Sequence, residues 1–388
     1  NGTLDLDGEL QLQANGTLSA PRGLLTLSGG NNAFHNNCTN PTTQFIHNNG
    51  EVEFDGSNNR LYGGTATATG THFYNLTHDS SGYLDGYEYI TVENKLTTKA
   101  GQSYYINDSG KVFIGTSTVA GEFEINGSLN LGTNGQTYIE GVGGPTLPAL
   151  IDYNGSISGA SGDTGGADAF LNLTNINWDG TLSTGTTNIK LGGDAEFDAV
   201  TVGSGSLLDC GTHDFTTSGT LTVEGTFTGG SGLHNINTIS ANNSTGSVTL
   251  TSGITYLNGG GSSCFGNASG LSLLSFANGT LVFNQSDGNQ RFEFNKLPAN
   301  DAARMGRVVF NNGPSNYSYI QAVAWSAGNR IPKGDIIFAS SDSSDGFLTQ
   351  NLDMSTDGNM TIATGAEMTA GSSDLTVAGD FTTSGGLL

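Results

Sequence analysis

The sequence predicts an all-β fold, an elongated right-handed parallel β-solenoid (β-helix) of imperfect repeats. Three observations predict it: a composition of turn formers, short runs of period-two alternation, and self-similarity recurring along the 388 residues. Gly, Asn, Ser and Thr supply 184 of the 388 residues, whereas charged residues make up 12%. Strong helix formers are scarce, which argues against a helical bundle or a βαβ enzyme. The 12 Lys and Arg against 35 Asp and Glu leave a net charge of −23. That balance argues against nucleic acid as a partner, because counterion release needs clustered cations. Aromatic residues at 9%, within a hydrophobic share of 35%, give enough apolar surface for a core, unlike a disordered chain of similar polarity.

The strand-like runs follow one another along the chain. Gly2-Thr-Leu-Asp-Leu-Asp-Gly8, Lys111-Val-Phe-Ile-Gly115 and Asn126-Gly-Ser-Leu-Asn-Leu-Gly132 alternate apolar and polar residues between glycines or Asn-Gly pairs. Gly219-Thr-Leu-Thr-Val-Glu-Gly225 and Asp374-Leu-Thr-Val-Ala-Gly379 repeat the pattern. Such alternation over four to six residues is a half-buried strand, and the flanking Gly and Asn suit tight turns. Larger echoes exist as well. Asp-Phe-Thr-Thr-Ser-Gly occurs at 214–219 and 380–385, and Asn49-Gly-Glu-Val-Glu-Phe-Asp-Gly56 returns as Asn278-Gly-Thr-Leu-Val-Phe-Asn-Gln285.

A solenoid explains the composition. Coils stacked at about 4.8 Å place like positions above one another, so Asn, Ser and Thr form hydrogen-bonded ladders while like charges repel. Roughly 20–28 residues per turn fits the usual repeat lengths. The alternative is a row of tandem β-sandwiches, which also use short, regularly spaced strands. The domain reading is a single continuous solenoid over 1–388, with irregular insertions possible at 140–190 and 291–333. The first holds Pro145, Pro148 and Trp178. The second holds six of the twelve basic residues, Arg291, Lys296, Arg304, Arg307, Arg330 and Lys333. It also contains a helix-like segment, Leu297–Met305, that Asn300 or Asp301 could cap.

The stretches Val52–Gly56, Phe73–Thr77, Leu221–Thr228 and Leu375–Thr382 resemble the repeats of large secreted β-solenoid surface proteins. These include filamentous-haemagglutinin-type adhesins, extracellular filament proteins and phage tail fibres. The resemblance implies adhesion, scaffolding or fibre formation at an extracellular or cell-surface location, or on a virion, rather than one chemistry.

Enzymes also use parallel β-helices, so carboxylates on successive turns are the residues to weigh. Asp5/Asp7, Glu51/Glu53, Glu122/Glu124, Asp194/Glu196 and Asp342/Asp345 are the acidic pairs. Solvated positions on alternating strands have the same spacing, so no catalytic residue and no cofactor are assigned. The strings Thr77-His78-Asp79 and Thr212-His213-Asp214 lack a serine nucleophile motif and read as turns. Oxygen-rich turns at Asp5–Gly8 and Asp342–Gly346 leave structural calcium open. However, Gly229-Gly-Ser-Gly232 is not continued into a calcium repeat. Cys38, Cys210 and Cys264 are too few and too far apart for a disulfide framework. Candidate N-glycosylation sequons start at Asn1, Asn15, Asn37, Asn75, Asn107, Asn126, Asn154, Asn172, Asn242, Asn243, Asn267, Asn278, Asn284, Asn316 and Asn359.

The chain closes with Phe381-Thr-Thr-Ser-Gly-Gly-Leu-Leu388, partway through the unit seen at 214–228, and opens like that unit's continuation. Head-to-tail stacking of copies into a filament is therefore expected, with no membrane-spanning segment. The function expected is a non-enzymatic extracellular structural protein, a self-assembling surface filament or an adhesive rod. Its partners would be copies of itself, with cell-surface glycans or a host surface as further partners. A phage tail fibre or virion appendage is the first alternative, and a carbohydrate-active β-helix enzyme the second.

Overall fold

A computed structural model describes residues 2–65, 70–106, 110–116, 118–119, 121–131, 136–140, 149–153, 156–159, 170–174, 176–183, 188–241, 246–259, 273–285, 290–293, 298–312, 318–321, 332–340, 346–350, 353–369 and 374–384. The chain forms a parallel β-solenoid that divides into two compact units. One comprises 1–197 with 205–208, the other 198–204 with 209–388.

In the first unit, one apolar column can be followed from strand to strand. Leu4 stands opposite Leu25, Leu25 opposite Val52, Val52 opposite Leu76, Leu76 opposite Leu96 and Leu96 opposite Phe123. The register then passes from Phe123 to Ile151 and from Ile151 to Trp178. The step varies from 20 residues (Leu76 to Leu96) to 28 (Phe123 to Ile151). Strand Glu51–Phe54 shows why the column forms, because Val52 and Phe54 are buried while Glu51 and Glu53 are partly exposed. A second wall runs Leu10–Ala14, Phe34–Cys38, Asn59–Tyr62, Tyr83–Tyr87, Ser103–Ile106, Ser128–Leu131 and Ser156–Gly159, each strand beside the next. Between the walls lie fully buried Phe34, Phe45, Phe73 and Tyr104.

The second unit repeats the plan. Its column runs Ile236, Leu257, Phe283, Phe310, Phe338 and Ile362. The rings of Phe283, Phe310 and Phe338 stack with centroids 5.3 Å apart at each step. The expected polar ladder is present too. Asn311 Nδ2 donates to Asn284 Oδ1 at 2.9 Å, and Asn284 Nδ2 donates to Asn258 Oδ1 at 2.9 Å.

The described strand pairings are parallel, from Leu4–Leu6 with Leu24–Leu27 to Met360–Ile362 with Phe381–Thr383. Tandem β-sandwiches, built on antiparallel pairing, are thereby set aside. Within 140–190, strands Ala149–Tyr153, Phe170–Thr174 and Ile176–Ser183 join the parallel register. Pro145 and Pro148 lie outside the described residues. Within 291–333, strand Arg307–Asn312 pairs with Thr280–Gln285 and Ile336–Ser340. Asp301–Arg304 is a 3-10 turn, and Asn300 caps it by accepting from the Ala302 N–H at 3.1 Å. A one-turn helix at Pro41–Gln44 was not anticipated, although Pro at its first position is a start signal.

Candidate functional site

Three polar constellations stand out, two in the first unit and one in the second. On the outer face of the first unit, the solenoid register gathers acidic pairs that lie far apart in the chain. Lys95 stands opposite Glu122, and Glu124 opposite Thr97. Lys95 Nζ donates to Glu122 Oε1 at 2.8 Å and to Glu124 Oε2 at 2.7 Å. Lys99 Nζ donates to Glu53 Oε1 at 2.9 Å and to Asp79 Oδ2 at 2.6 Å. Thr77 Oγ1 donates to Glu51 Oε1 at 2.6 Å. Hydrogen bonds from Lys95 and then Asn126 hold the Glu124 carboxyl below its ordinary range, and bonds to Asp79 and Glu53 raise Lys99. Glu124 is thus kept ionised by the scaffold, which is the opposite of what a general acid needs.

The other sequence candidates do not join this face. Asp5, Asp7, Asp194 and Glu196 are exposed, and Asp342 and Asp345 lie outside the described residues. Among the described residues, no three His, Cys, Asp or Glu side chains gather to hold a metal ion. His78 corrects the expectation of a turn residue. It ends strand Thr71–His78 with its ring in the core, because that position alternates inward. His213 and Asp214 do lie at a turn, where Asp214 Oδ1 accepts from the Leu233 N–H at 2.7 Å. Cys38 and Cys210 are buried free thiols, and burial raises both pKa values. Cys264 lies outside the described residues.

Sequence reasoning missed the second constellation, on the outer side of the other wall of the first unit. In strand Tyr83–Tyr87, Leu84 is core and Gly86 lies against the Tyr104 hydroxyl, so Asp85 points outward. The register sets Arg60 and Tyr105 opposite Asp85 on the two neighbouring strands. Tyr62 and Tyr87 stack at 4.7 Å and 11°, and Tyr83 meets Tyr105 edge-on at 5.8 Å. His35 continues the stack onto Tyr62 at 4.7 Å. Arg60 Nε lies 3.8 Å from Asp85 Oδ2. Burial raises the Asp85 carboxyl, and the Arg60 charge pulls it back. The signal was Tyr83, Asp85 and Tyr87 on one strand face, but the link to Arg60 needs the local rung length.

The third constellation is an open groove of about 460 Å³ in the second unit, floored by Gly279, Gly306, Gly334 and Gly358. A Cβ at Gly306 would overlap the Phe276 carbonyl, and one at Gly334 the Met305 carbonyl, so neighbouring backbones touch along this floor. Asp335 and Asp357 line it with Arg307. Asp335 is engaged already, since Oδ2 accepts from Arg307 Nη2 at 3.3 Å and Oδ1 from the Asn359 N–H at 3.0 Å.

The described sequons divide by environment. Asn15, Asn37, Asn278 and Asn359 are exposed. Asn75 Oδ1 accepts from Asn94 Nδ2 at 2.7 Å, Asn126 Nδ2 donates to Glu124 Oε1 at 2.6 Å, and Asn284 sits inside its ladder. Asn172 lies in strand Phe170–Thr174. Asn1, Asn107, Asn154, Asn242, Asn243, Asn267 and Asn316 lie outside the described residues.

Comparison with protein-family models, with curated proteins and with solved structures finds no match. The likeness to secreted solenoid proteins therefore rests on the repeat pattern and on the parallel β-solenoid fold itself.

Proposed function

We propose that the chain is a non-enzymatic structural module of an extracellular surface, a β-solenoid that polymerises end to end or serves as an adhesive scaffold. One observation carries this reading: Lys95 and Lys99 on the outer face of the first unit each bridge two carboxylates across neighbouring rungs. Lys99 joins Glu53 and Asp79, which stand two rungs and one rung away in register, and Lys95 closes onto Glu122 and Glu124. A catalytic face needs carboxylates with unequal proton affinities and room for substrate, whereas these are held in ion pairs across the rungs.

End-to-end association has a physical basis in two strands. Leu4–Leu6 and Phe381–Thr383 each have a described partner on one side only, with Leu4 40% and Phe381 41% exposed. Strand addition across such edges supplies backbone hydrogen bonds together with apolar contact.

Electron microscopy and sedimentation of the purified chain over rising concentration test the proposal. Growing filaments are expected, and Leu4→Lys or Phe381→Lys should arrest growth without lowering the melting temperature. Discrete trimers would favour a fibre appendage instead. Isolated particles at every concentration would remove the polymer reading.

A further inference from the structure

We infer that Asn278–Gly279 in the second unit is a self-modifying site. The backbone nitrogen of Gly279 attacks the side-chain amide of Asn278 and converts that residue to aspartate and isoaspartate. A bond forms from the Gly279 nitrogen to Cγ of Asn278, ammonia leaves with the amide nitrogen, and a five-membered succinimide remains. Water then opens either carbonyl of the ring. One opening gives aspartate, and the other reroutes the chain through the former side chain as isoaspartate. Hydroxide takes the proton from the attacking nitrogen, so water supplies every co-reactant.

Asn-Gly pairs suit this chemistry because glycine has no Cβ to obstruct the approach. The fold decides which of them can react. Both residues are described at Asn15–Gly16, Asn49–Gly50, Asn126–Gly127, Asn258–Gly259 and Asn278–Gly279. In the first four the nucleophile is tied up. Gly16 N–H donates to the Gln13 carbonyl at 2.8 Å, and Gly50 N–H to that of His47 at 2.9 Å. Gly127 N–H donates to the Thr98 carbonyl at 3.1 Å, and Gly259 N–H to that of Asn237 at 2.7 Å. Each must give up its bond before its nitrogen can lose a proton and attack.

Gly279 differs. Its N–H has no acceptor among the described residues, although the groups beside it are paired with neighbouring rungs. Thr280 N–H donates to the Gly253 carbonyl at 2.9 Å, and the Gly279 carbonyl accepts from Arg307 N–H at 3.0 Å. The electrophile is free as well. Asn278 is exposed in the turn before strand Thr280–Gln285, and its side chain bonds to none of the described residues. By contrast, Asn126 Nδ2 donates to Glu124, and Asn258 Oδ1 accepts from Asn284. Asn278 and Gly279 both line the open groove of about 460 Å³, which gives hydroxide a path in and ammonia a path out.

The product strains the rung. A Cβ on Gly279 would lie 2.1 Å from the Thr251 carbonyl, so the chain has no slack there. Isoaspartate adds a methylene to the backbone at that point, and aspartate adds a carboxylate to a groove already lined by Asp335 and Asp357. The reaction therefore ages one corner of the solenoid. Asn278-Gly279-Thr280 is also a sequon, and a glycan on the Asn278 amide would compete for the same nitrogen.

The test accordingly uses the full chain produced in a bacterium without glycosylation and held folded in mildly alkaline buffer. Peptide mass mapping follows amide loss at all five pairs, and isoaspartyl methyltransferase labelling follows isoaspartate. Asn278 is expected to react about tenfold faster, or more, than each of the other four, and to yield both products. In concentrated urea the five rates should converge, because the fold is what separates them. Asn278→Gln needs a six-membered ring and should remove the isoaspartate signal at this position without moving the melt. Equal rates at exposed Asn15 or Asn49 in the folded chain, or an unreacted Asn278, would overturn the proposal. Aspartate without isoaspartate at Asn278 would mean direct hydrolysis and overturn it too. A lead for Asn278 that persists undiminished in urea would place the cause in its sequence neighbours, against the role given to the free N–H.

Discussion

At the scale of single residues, the two buried histidines tie the core to pH. His78 in the first unit and His234 in the second are both fully buried. His78 lies 6.4 Å from the Tyr104 ring, and His234 packs on Phe215 and Phe227 at 5.7 and 6.0 Å. Burial pulls each imidazole from 6.5 down to about 4. Both are therefore neutral in the folded chain at neutral pH. As pH falls below 6.5 the unfolded chain takes up these protons first, so stability is lost between about 6.5 and 4 and not above. The depressions correspond to roughly 3 kcal/mol per histidine, order of magnitude only. Urea melts at pH 7 and pH 4.5 should differ by several kcal/mol. His78→Leu with His234→Leu, close in volume, should remove most of that difference. Equal losses in the double variant would assign the pH dependence to the carboxylates. Glu124 would not be among those, because its lowered pKa places its contribution in a more acidic window, lost only as pH falls below its unfolded value of 4.5.

At the scale of the rung, the decisive contacts are between backbones and between like side chains. Gly306→Ala would drive a methyl into the Phe276 carbonyl. A cost of about 3 kcal/mol is expected, or a chain that fails to accumulate. Gly8→Ala meets nothing within 4 Å and should be close to neutral in the same denaturation series. Asn284→Ala removes one donor and one acceptor from its ladder, at an expected cost of about 1–2 kcal/mol. Strands and ladders of this kind were legible in the sequence because alternation and like-on-like stacking are local or repetitive properties. Val52 and Phe54 could be placed inward from their own segment alone. What sits opposite what could not be read. The spacing between rungs runs from 20 to 28 residues within the first unit, so pairing Arg60 with Asp85 needs a turn length that no local pattern supplies. His78 was misread for a related reason. Its Thr-His-Asp string looks like the one at 212–214, and only the register decides which histidine enters the core. The cap at Asn300 was legible, being a property of adjacent residues.

At the scale of the whole molecule, the net charge of −23 would set how copies meet in the proposed end-to-end assembly. Lys95 and Lys99 each serve two carboxylates in the first unit, but twelve cations cannot offset thirty-five acidic side chains. Two approaching copies therefore repel over the Debye length, about 30 Å at 0.01 M salt and about 3 Å at 1 M. The strand-edge hydrogen bonds and the contact between Leu4 and Phe381 proposed for that assembly would act only at close range and be insensitive to that screening. End-to-end association should consequently strengthen with salt. The concentration at which half the protein is assembled is expected to fall at least about tenfold between roughly 0.02 and 0.5 M sodium chloride, by light scattering. Magnesium chloride at matched ionic strength should act alike, since repulsion is general rather than sited. The opposite slope, with assembly lost on adding salt, would mean that the copies are joined by ion pairs. In that case strand addition at Leu4–Leu6 and Phe381–Thr383 would not be the contact.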